Sequence, residues 1–441
     1  MPIWGTGGSL PTRMSNRAVM SKVSRVSLLL AVAAFAVPAG AQLKQGEKPT
    51  AEQVATGEAP AQKISEAETV YRGLSGSMVP RRWSKAAAEE LLAYVDRSGE
   101  EGLNPGEYGP ERLRAALANR DQAAVDVAAT DAFLKLSAAL ALGTVPIEAR
   151  VGWHMKDPDL EGAQQFALME RAIQENSVRR SLDSLLPTHL QYGELKGVLA
   201  NAKDQATRDK ARVNLERWRW LPRELGPRYV IVNVPAYTAA LVENGHVVAR
   251  HRAVVGSVKT PTPQLSAVAT GVIFNPWWEI PKSIEPEVRG KKGYVTVKTP
   301  EGGVRYRQPP GPGNALGRMK VVMPNNYAIY LHDTPSKTTF QRDYRAASHG
   351  CIRTHNALDF ARVLLGNPEW DQAKIDATIK GGKTVMAKTS VATPVYIAYF
   401  TAAAAKDGAG IVPYADVYGR DAKALASIKS GTKTSLASAA N

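Results

Sequence analysis

The sequence carries a single cysteine, Cys351, in 441 residues, and only seven histidines. No Cys-x-x-Cys or His-x-x-x-His pair accompanies Cys351, so a zinc ligand set stays incomplete and no metal or cofactor is expected. Long apolar runs are equally scarce. Val26 to Val37 spans twelve residues, short of the ~20 helical residues that cross a bilayer, and no other stretch approaches a span. Acidic residues are outnumbered 41 to 56, which gives a formal charge of +15. Such a charge suggests a polyanion, yet the chain has no zinc finger, RRM-like aromatic motif or concentrated basic helix, and no nucleic-acid partner is expected.

The apolar run has the context of an export signal. Arg13, Arg17, Lys22 and Arg25 precede it and Ala39-Gly40-Ala41 closes it, the layout of a secretory leader cleaved after Ala41. Met14 and Met20 also begin plausible leaders. Residues 1–41 are thus assigned to the signal, and their removal takes four cations and no anions, leaving +11. An exported chain is expected in the periplasm, where a basic surface suits a polyanionic cell wall and a generic solubility effect equally well. A lone thiol in an oxidising compartment points to a reactive residue or an intermolecular partner.

Residues 42–66 are Glu, Lys, Gln, Ala and Pro with few large apolar side chains, which predicts a flexible tether. Helical spacing then sets in: Ala88, Leu91, Leu92 and Val95 share one face, and segments near 126–142, 161–176 and 191–201 continue it. A helical domain is expected over 67–205. A junction follows over 206–227, where Trp218 and Trp220 fit packing between two units better than glycan stacking. After Pro227 the texture is β. Runs at 229–234, 239–242 and 246–255 are separated by Asn244-Gly245 and similar turns, with His246 and His251 as ordinary strand residues. Strands are expected at 327–331, 383–388 and 394–399, helices at 356–365 and 371–380, and a frayed tail after about 421.

A thiol attacks as thiolate, and a cysteine with a pKa near ~8.5 is little ionised at neutral pH without help from a neighbour such as histidine. Two histidines are candidates. His349 lies two residues before Cys351, a spacing that aligns side chains on extended backbone, whereas His332 is nineteen residues upstream and could approach from a neighbouring strand. Gly350 and the peptide after it could present N–H groups to a reacting carbonyl. An isolated cysteine is also compatible with a small buried apolar residue, and His-x-Cys beside His355 with part of a zinc site.

The run Ser348-His349-Gly350-Cys351-Ile352-Arg353, with His332 set back by a fifteen-residue spacer, closely resembles the signature of the L,D-transpeptidase (YkuD) family. The flanks Ile329-Tyr330-Leu331-His332-Asp333-Thr334-Pro335 and Arg342-Asp343-Tyr344-Arg345-Ala346 resemble its larger YcbB-type branch, as do Leu182 to Pro187 and Arg212 to Pro222. The resemblance implies an α+β protein: an all-helical N-terminal scaffold domain, then a mostly-β YkuD-type catalytic domain over 228–401 with a capping lid at 285–317, and a partly disordered extension over 402–441. It implies a Cys351 nucleophile, a His332 base and His349 lining the site. Gly350, Ser348, Arg353 and Asp333 are assigned to the oxyanion and substrate side. Only some fifteen residues, Asn201 to about Leu215, stand where relatives carry a small peptidoglycan-binding domain, so that domain is expected to be absent.

The activity so implied is acyl transfer between peptidoglycan peptide stems by a monomeric enzyme, with release of D-alanine and cross-linking of diaminopimelate residues. Cysteine hydrolases of the NlpC/P60 type place histidine after cysteine along the chain, and His332 precedes Cys351. A stem-hydrolysing carboxypeptidase or endopeptidase, and a non-catalytic wall-binding protein, are the competing readings.

Overall fold

The computed structural model describes residues 80–430, apart from 156–159, 301 and 406–409. The expected signal and tether lie outside the described residues. The helical part consists of α1 (Lys85–Asp96), α2 (Pro110–Ala118), α3 (Gln122–Leu142), α4 (Gly162–Gln174), α5 (Val178–Asp183), α6 (Leu190–Asn201) and α7 (Gln205–Arg219). Polar caps start these helices: the Ser84 and Asp121 side chains accept from Ala87 N and Ala124 N, contacts worth ~1 kcal/mol each. Ala88, Leu91 and Val95 are buried as their spacing predicts, against Phe133, Leu136 and Leu140 of α3. Each such Leu or Phe contributes about 1.5–3 kcal/mol through apolar area removed from water.

The expected junction is largely a helix, α7, and its last turns are buried although they carry charge. Glu216 accepts from Thr144 N at 2.7 Å, Val145 N at 2.8 Å and Trp220 Nε1 at 3.0 Å. Trp218 stacks on His189 and on Phe400 and so packs the helical part against the β part, whereas Trp220 meets Trp153 edge-on within the helical part. Three or more donors around one buried carboxylate offset its desolvation.

The β part begins with β1 (Arg228–Asn233), β2 (Thr238–Glu243), β3 (His246–Gly256), β4 (Ser266–Phe274) and the short β5 (Trp278–Glu279), followed by α8 (Glu285–Val288), β6 (Val295–Lys298) and β7 (Val304–Gln308). It continues with β8 (Met319–Val322), β9 (Leu331–His332), β10 (Ala346–Ser348), β11 (Ile352–Thr354), α9 (Ala357–Leu365), α10 (Gln372–Gly381), β12 (Val385–Ala398), β13 (Ala402–Ala404), β14 (Ile411–Pro413) and α11 (Asp421–Ser430). The main sheet runs β3-β11-β9-β8-β4-β12-β1-β2, and β2 pairs back onto β3, closing a ring to which β10 attaches. Val232, Leu241, Val272, Phe274, Val321, Leu331 and Ile352 fill it, capped by Phe360 and Leu364 of α9.

Three local expectations are corrected. Only Leu331–His332 join the ladder, because Asn325 staples the preceding loop and Ala328 sits at φ +52°. The two last strands are one, β12, interrupted by a register shift between Lys388 and Thr393. The tail from Asp421 to Ser430 is helical and anchored, Asp421 taking Arg217 Nη1 at 2.6 Å and Lys210 Nζ at 2.7 Å, and 431–441 lie outside the described residues. The lid region is also more than a loop. β5, β7 and β6 form their own sheet, and Ile280, Ile284 and Val288 make a small apolar cluster with Trp278, Tyr294 and Tyr306.

Candidate active site

Strand register explains which side chains meet. Directly opposed residues project to the same face of a sheet. Lys320 on β8 opposes His332 on β9, and His332 opposes Arg353 on β11. Ile352 opposes Leu331, so one step earlier Cys351 faces Tyr330. Met319, Val321, Leu331 and Ile352 point inward to the core, which leaves Lys320, Tyr330, His332, Cys351 and Arg353 on the other face. Five chemistry-bearing side chains from three neighbouring strands thus converge.

The thiol is held by Tyr330 and by a strained carbonyl. Cys351 Sγ lies 3.6 Å from Ala328 O. The Tyr330 hydroxyl and backbone N–H face the sulfur and favour its thiolate form, and the Trp278 side chain acts on the same hydroxyl. Ala328 occupies left-handed space, which costs a non-glycine residue ~1 kcal/mol. Asn325 holds it there: Nδ2 donates to Met323 O at 2.8 Å and Ile329 O at 2.7 Å, and Oδ1 accepts from Tyr327 N and Ile329 N. The neighbouring Tyr327 ring stacks at 4.3 Å on His154, a residue of the helical half.

Charge is distributed unevenly around the sulfur. Burial pushes the Cys351 thiol up, and the Tyr330 N–H, Lys320, the Tyr330 hydroxyl and Arg353 pull against it. Burial also pushes His332 down, with Arg353 and Lys320 adding to the effect, to about 3. The ring is therefore neutral, with Nδ1 at the Asp333 carbonyl. No hydrogen bond joins His332 to Cys351; the two are diagonal neighbours in the two-strand ladder.

The other sequence-assigned residues separate into two groups. Arg353 shares the reactive face, half-buried and with its Nε unpartnered. Asp333 follows His332 by one residue and so points to the opposite face, where its carboxylate takes Arg318 N at 2.9 Å and pairs with Lys337. Ser348 is also turned inward: its Oγ donates to Cys351 O at 2.6 Å and accepts from Gly350 N. The Gly350 N–H is therefore engaged, and its carbonyl takes Thr262 Oγ1 at 2.7 Å. Gly350 sits at φ +111°, a conformation that L side chains rarely adopt.

That glycine also redirects His349. Side-chain alternation needs extended backbone, and the turn at Gly350 removes it. His349 instead turns to α8, with Nε2 3.1 Å from Glu287 Oε1. Lys320 and Tyr330 were not picked out by motif spacing. The available signal was a lone lysine in the apolar strand Met319-Lys320-Val321-Val322. Among the described residues no group of three His, Cys, Asp or Glu side chains is placed to hold a metal.

Both parts of the chain resemble known protein families. Residues 227–397 match the family model of the L,D-transpeptidase (YkuD) catalytic domain, and residues 80–199 that of a scaffold domain. A Haemophilus influenzae protein named as a candidate L,D-transpeptidase is 27% identical over 281 residues, 57% of this chain and 56% of that protein. The chain therefore spans little more than half the length of that relative. Among solved structures, an L,D-transpeptidase from Mycobacterium smegmatis shares 18% identity over 39% of this chain and 58% of its own, with a TM-score of 0.21. The Enterococcus faecium L,D-transpeptidase catalytic domain, solved acylated by ertapenem, shares 16% over 40% and 98%, with a TM-score of 0.18.

Proposed function

The chain belongs to the L,D-transpeptidase (YkuD) family, and from that premise we propose that it is an exported peptidoglycan L,D-transpeptidase acting by cysteine acyl transfer. The observation that supports this reading best is the row of Tyr330, Cys351, Lys320, His332 and Arg353 on one face of the ring. In the proposed reaction Cys351 attacks the carbonyl of the diaminopimelate residue in a tetrapeptide stem. The thiol proton passes to neutral His332, which delivers it to the departing D-alanine amine as the peptide bond breaks. A second diaminopimelate amine, from a neighbouring stem, then opens the thioester, giving its proton to the site and regenerating the thiol. The cleaved peptide bond supplies the free energy of the new one, so no nucleotide enters.

Roles differ from a simple reading of the motif. The amide of Cys351 itself serves the oxyanion, since that of Gly350 is engaged, and Arg353 faces the substrate's carboxylates. The lid, joined to the site through Trp278 and Tyr330 and through Glu287 and His349, positions the stem and excludes water. Export to the periplasm rests on the N-terminal leader pattern; no helix among the described residues is long and apolar enough to cross a membrane.

The test is mass analysis of muropeptides formed from purified tetrapeptide-bearing stems. The expected products are free D-alanine and a cross-linked dimer, both lost in Cys351→Ala. Trimmed stems without a dimer would replace the reading by a carboxypeptidase, and products persisting in Cys351→Ala would refute the assigned nucleophile. Ertapenem, which acylates the Enterococcus faecium enzyme, is a convenient active-site titrant.

A further inference from the structure

Lys320 occupies an unusual place for a lysine. β8 lies inside the ring between β4 and β9, and its Met319 and Val321 are fully buried. Lys320 is half-buried on the reactive face, its Nζ 4.0 Å from the centroid of the Tyr330 ring. Among the described residues no carboxylate is paired with it: Glu279, the one carboxylate that acts on it, is paired with Arg307 at 2.7 Å, and Glu287 is bonded to His349. A partly desolvated ammonium with no anion is costly, and a neutral side chain would satisfy that strand position better. The group it acts on from across the Tyr330 ring is the Cys351 thiol, which becomes an anion when it ionises.

A thiolate in this site needs a counter-charge, and the histidines do not provide it. His332 lies between two cations and bonds the Asp333 carbonyl, so protonating it would place three positive charges in one strand row. His349 is turned to the lid. Arg353 stands two residues beyond the sulfur on the same strand, and Tyr330 contributes no positive charge.

We propose that Lys320, rather than a protonated histidine, is the counter-ion that sets the ionisation of Cys351, with Tyr330 fixing its position between the ammonium and the sulfur. Lys320 is thus a positioning residue whose charge acts on the nucleophile, while His332 acts as the neutral proton acceptor during attack. The inference deepens the transpeptidase reading but does not depend on its acceptor or substrate.

The experiment measures alkylation of Cys351 by iodoacetamide against pH on the full chain, with no substrate present, so a failure of the transpeptidase assay leaves it interpretable. Lys320→Gln is expected to raise the inflection by about one pH unit, a roughly ten-fold loss of reactivity at neutral pH. Lys320→Arg should restore most of the wild-type profile, and His332→Gln should leave the inflection within a few tenths of a unit. Lys320→Met, which returns an apolar side chain to an interior strand, gives the same readout should the glutamine variant not fold. An unmoved inflection in the folded Lys320 variant, or a larger upward shift in His332→Gln, would overturn the proposal.

Discussion

His332 makes the folded protein acid-sensitive in a calculable way. In the folded chain its ring stays neutral until the pH approaches 3, because burial and the flanking Arg353 and Lys320 oppose the imidazolium. In the unfolded chain it titrates near ~6.5. Between these values the unfolded state binds a proton that the folded state refuses. Stability from this group is therefore complete above pH 6.5 and falls as the pH drops through the window from 6.5 towards 3. At pH 4.5, two units below the unfolded value, the loss amounts to about 2.7 kcal/mol at about 1.36 kcal/mol per unit. The assay is urea denaturation of wild type and His332→Gln at pH 7.5 and pH 4.5. Other groups titrate in both proteins, so the stability difference between them isolates His332. That difference should move in the variant's favour by about 2.7 kcal/mol on acidification. A difference independent of pH would mean that the ring is charged or solvated in the folded state, and the neutral-base argument would fail.

Asn325→Ala removes four hydrogen bonds from the loop that holds Ala328 against the thiol; a stability loss of about 2–3 kcal/mol is expected in urea denaturation, with an altered rate of Cys351 alkylation by iodoacetamide. Arg217→Ala strips a buried partner from Asp421 and Thr401; thermal unfolding should report about 3–5 kcal/mol and earlier proteolysis of α11. Glu287→Gln breaks an exposed contact to His349; melting should be unchanged while the Michaelis constant for stems rises, and an unaltered constant would separate His349 from lid closure.

Much of the site was legible because the chain punctuates it. A sole cysteine beside Gly350, with His332 a strand away, is visible without coordinates, as are the helical faces around Leu91 and Val95 and the packing role of Trp218. What was not legible depends on register and on turns. Asp333 and Ser348 sit next to reactive residues in sequence yet face away from them, one by strand alternation and the other by the turn at Gly350. His349 was offered as a base by a period that Gly350 interrupts, and its place beside the thiol came from the family resemblance. Lys320 and Tyr330 become neighbours of Cys351 only once β8, β9 and β11 are aligned. The C-terminal helix escaped notice because its anchor is a pair of cations more than two hundred residues upstream, Lys210 and Arg217.

The stack of His154 on Tyr327 has a pharmacological consequence. The loop that presents the Ala328 carbonyl to the thiol leans on a ring contributed by the helical half, so its conformation is set partly from outside the substrate groove. A small aromatic compound that displaced His154 would loosen the grip on the sulfur while lying outside the face that carries Cys351, His332 and Arg353. On the proposed function, inhibition of that kind would be non-competitive with substrate, and substitutions on the reactive face would leave it intact.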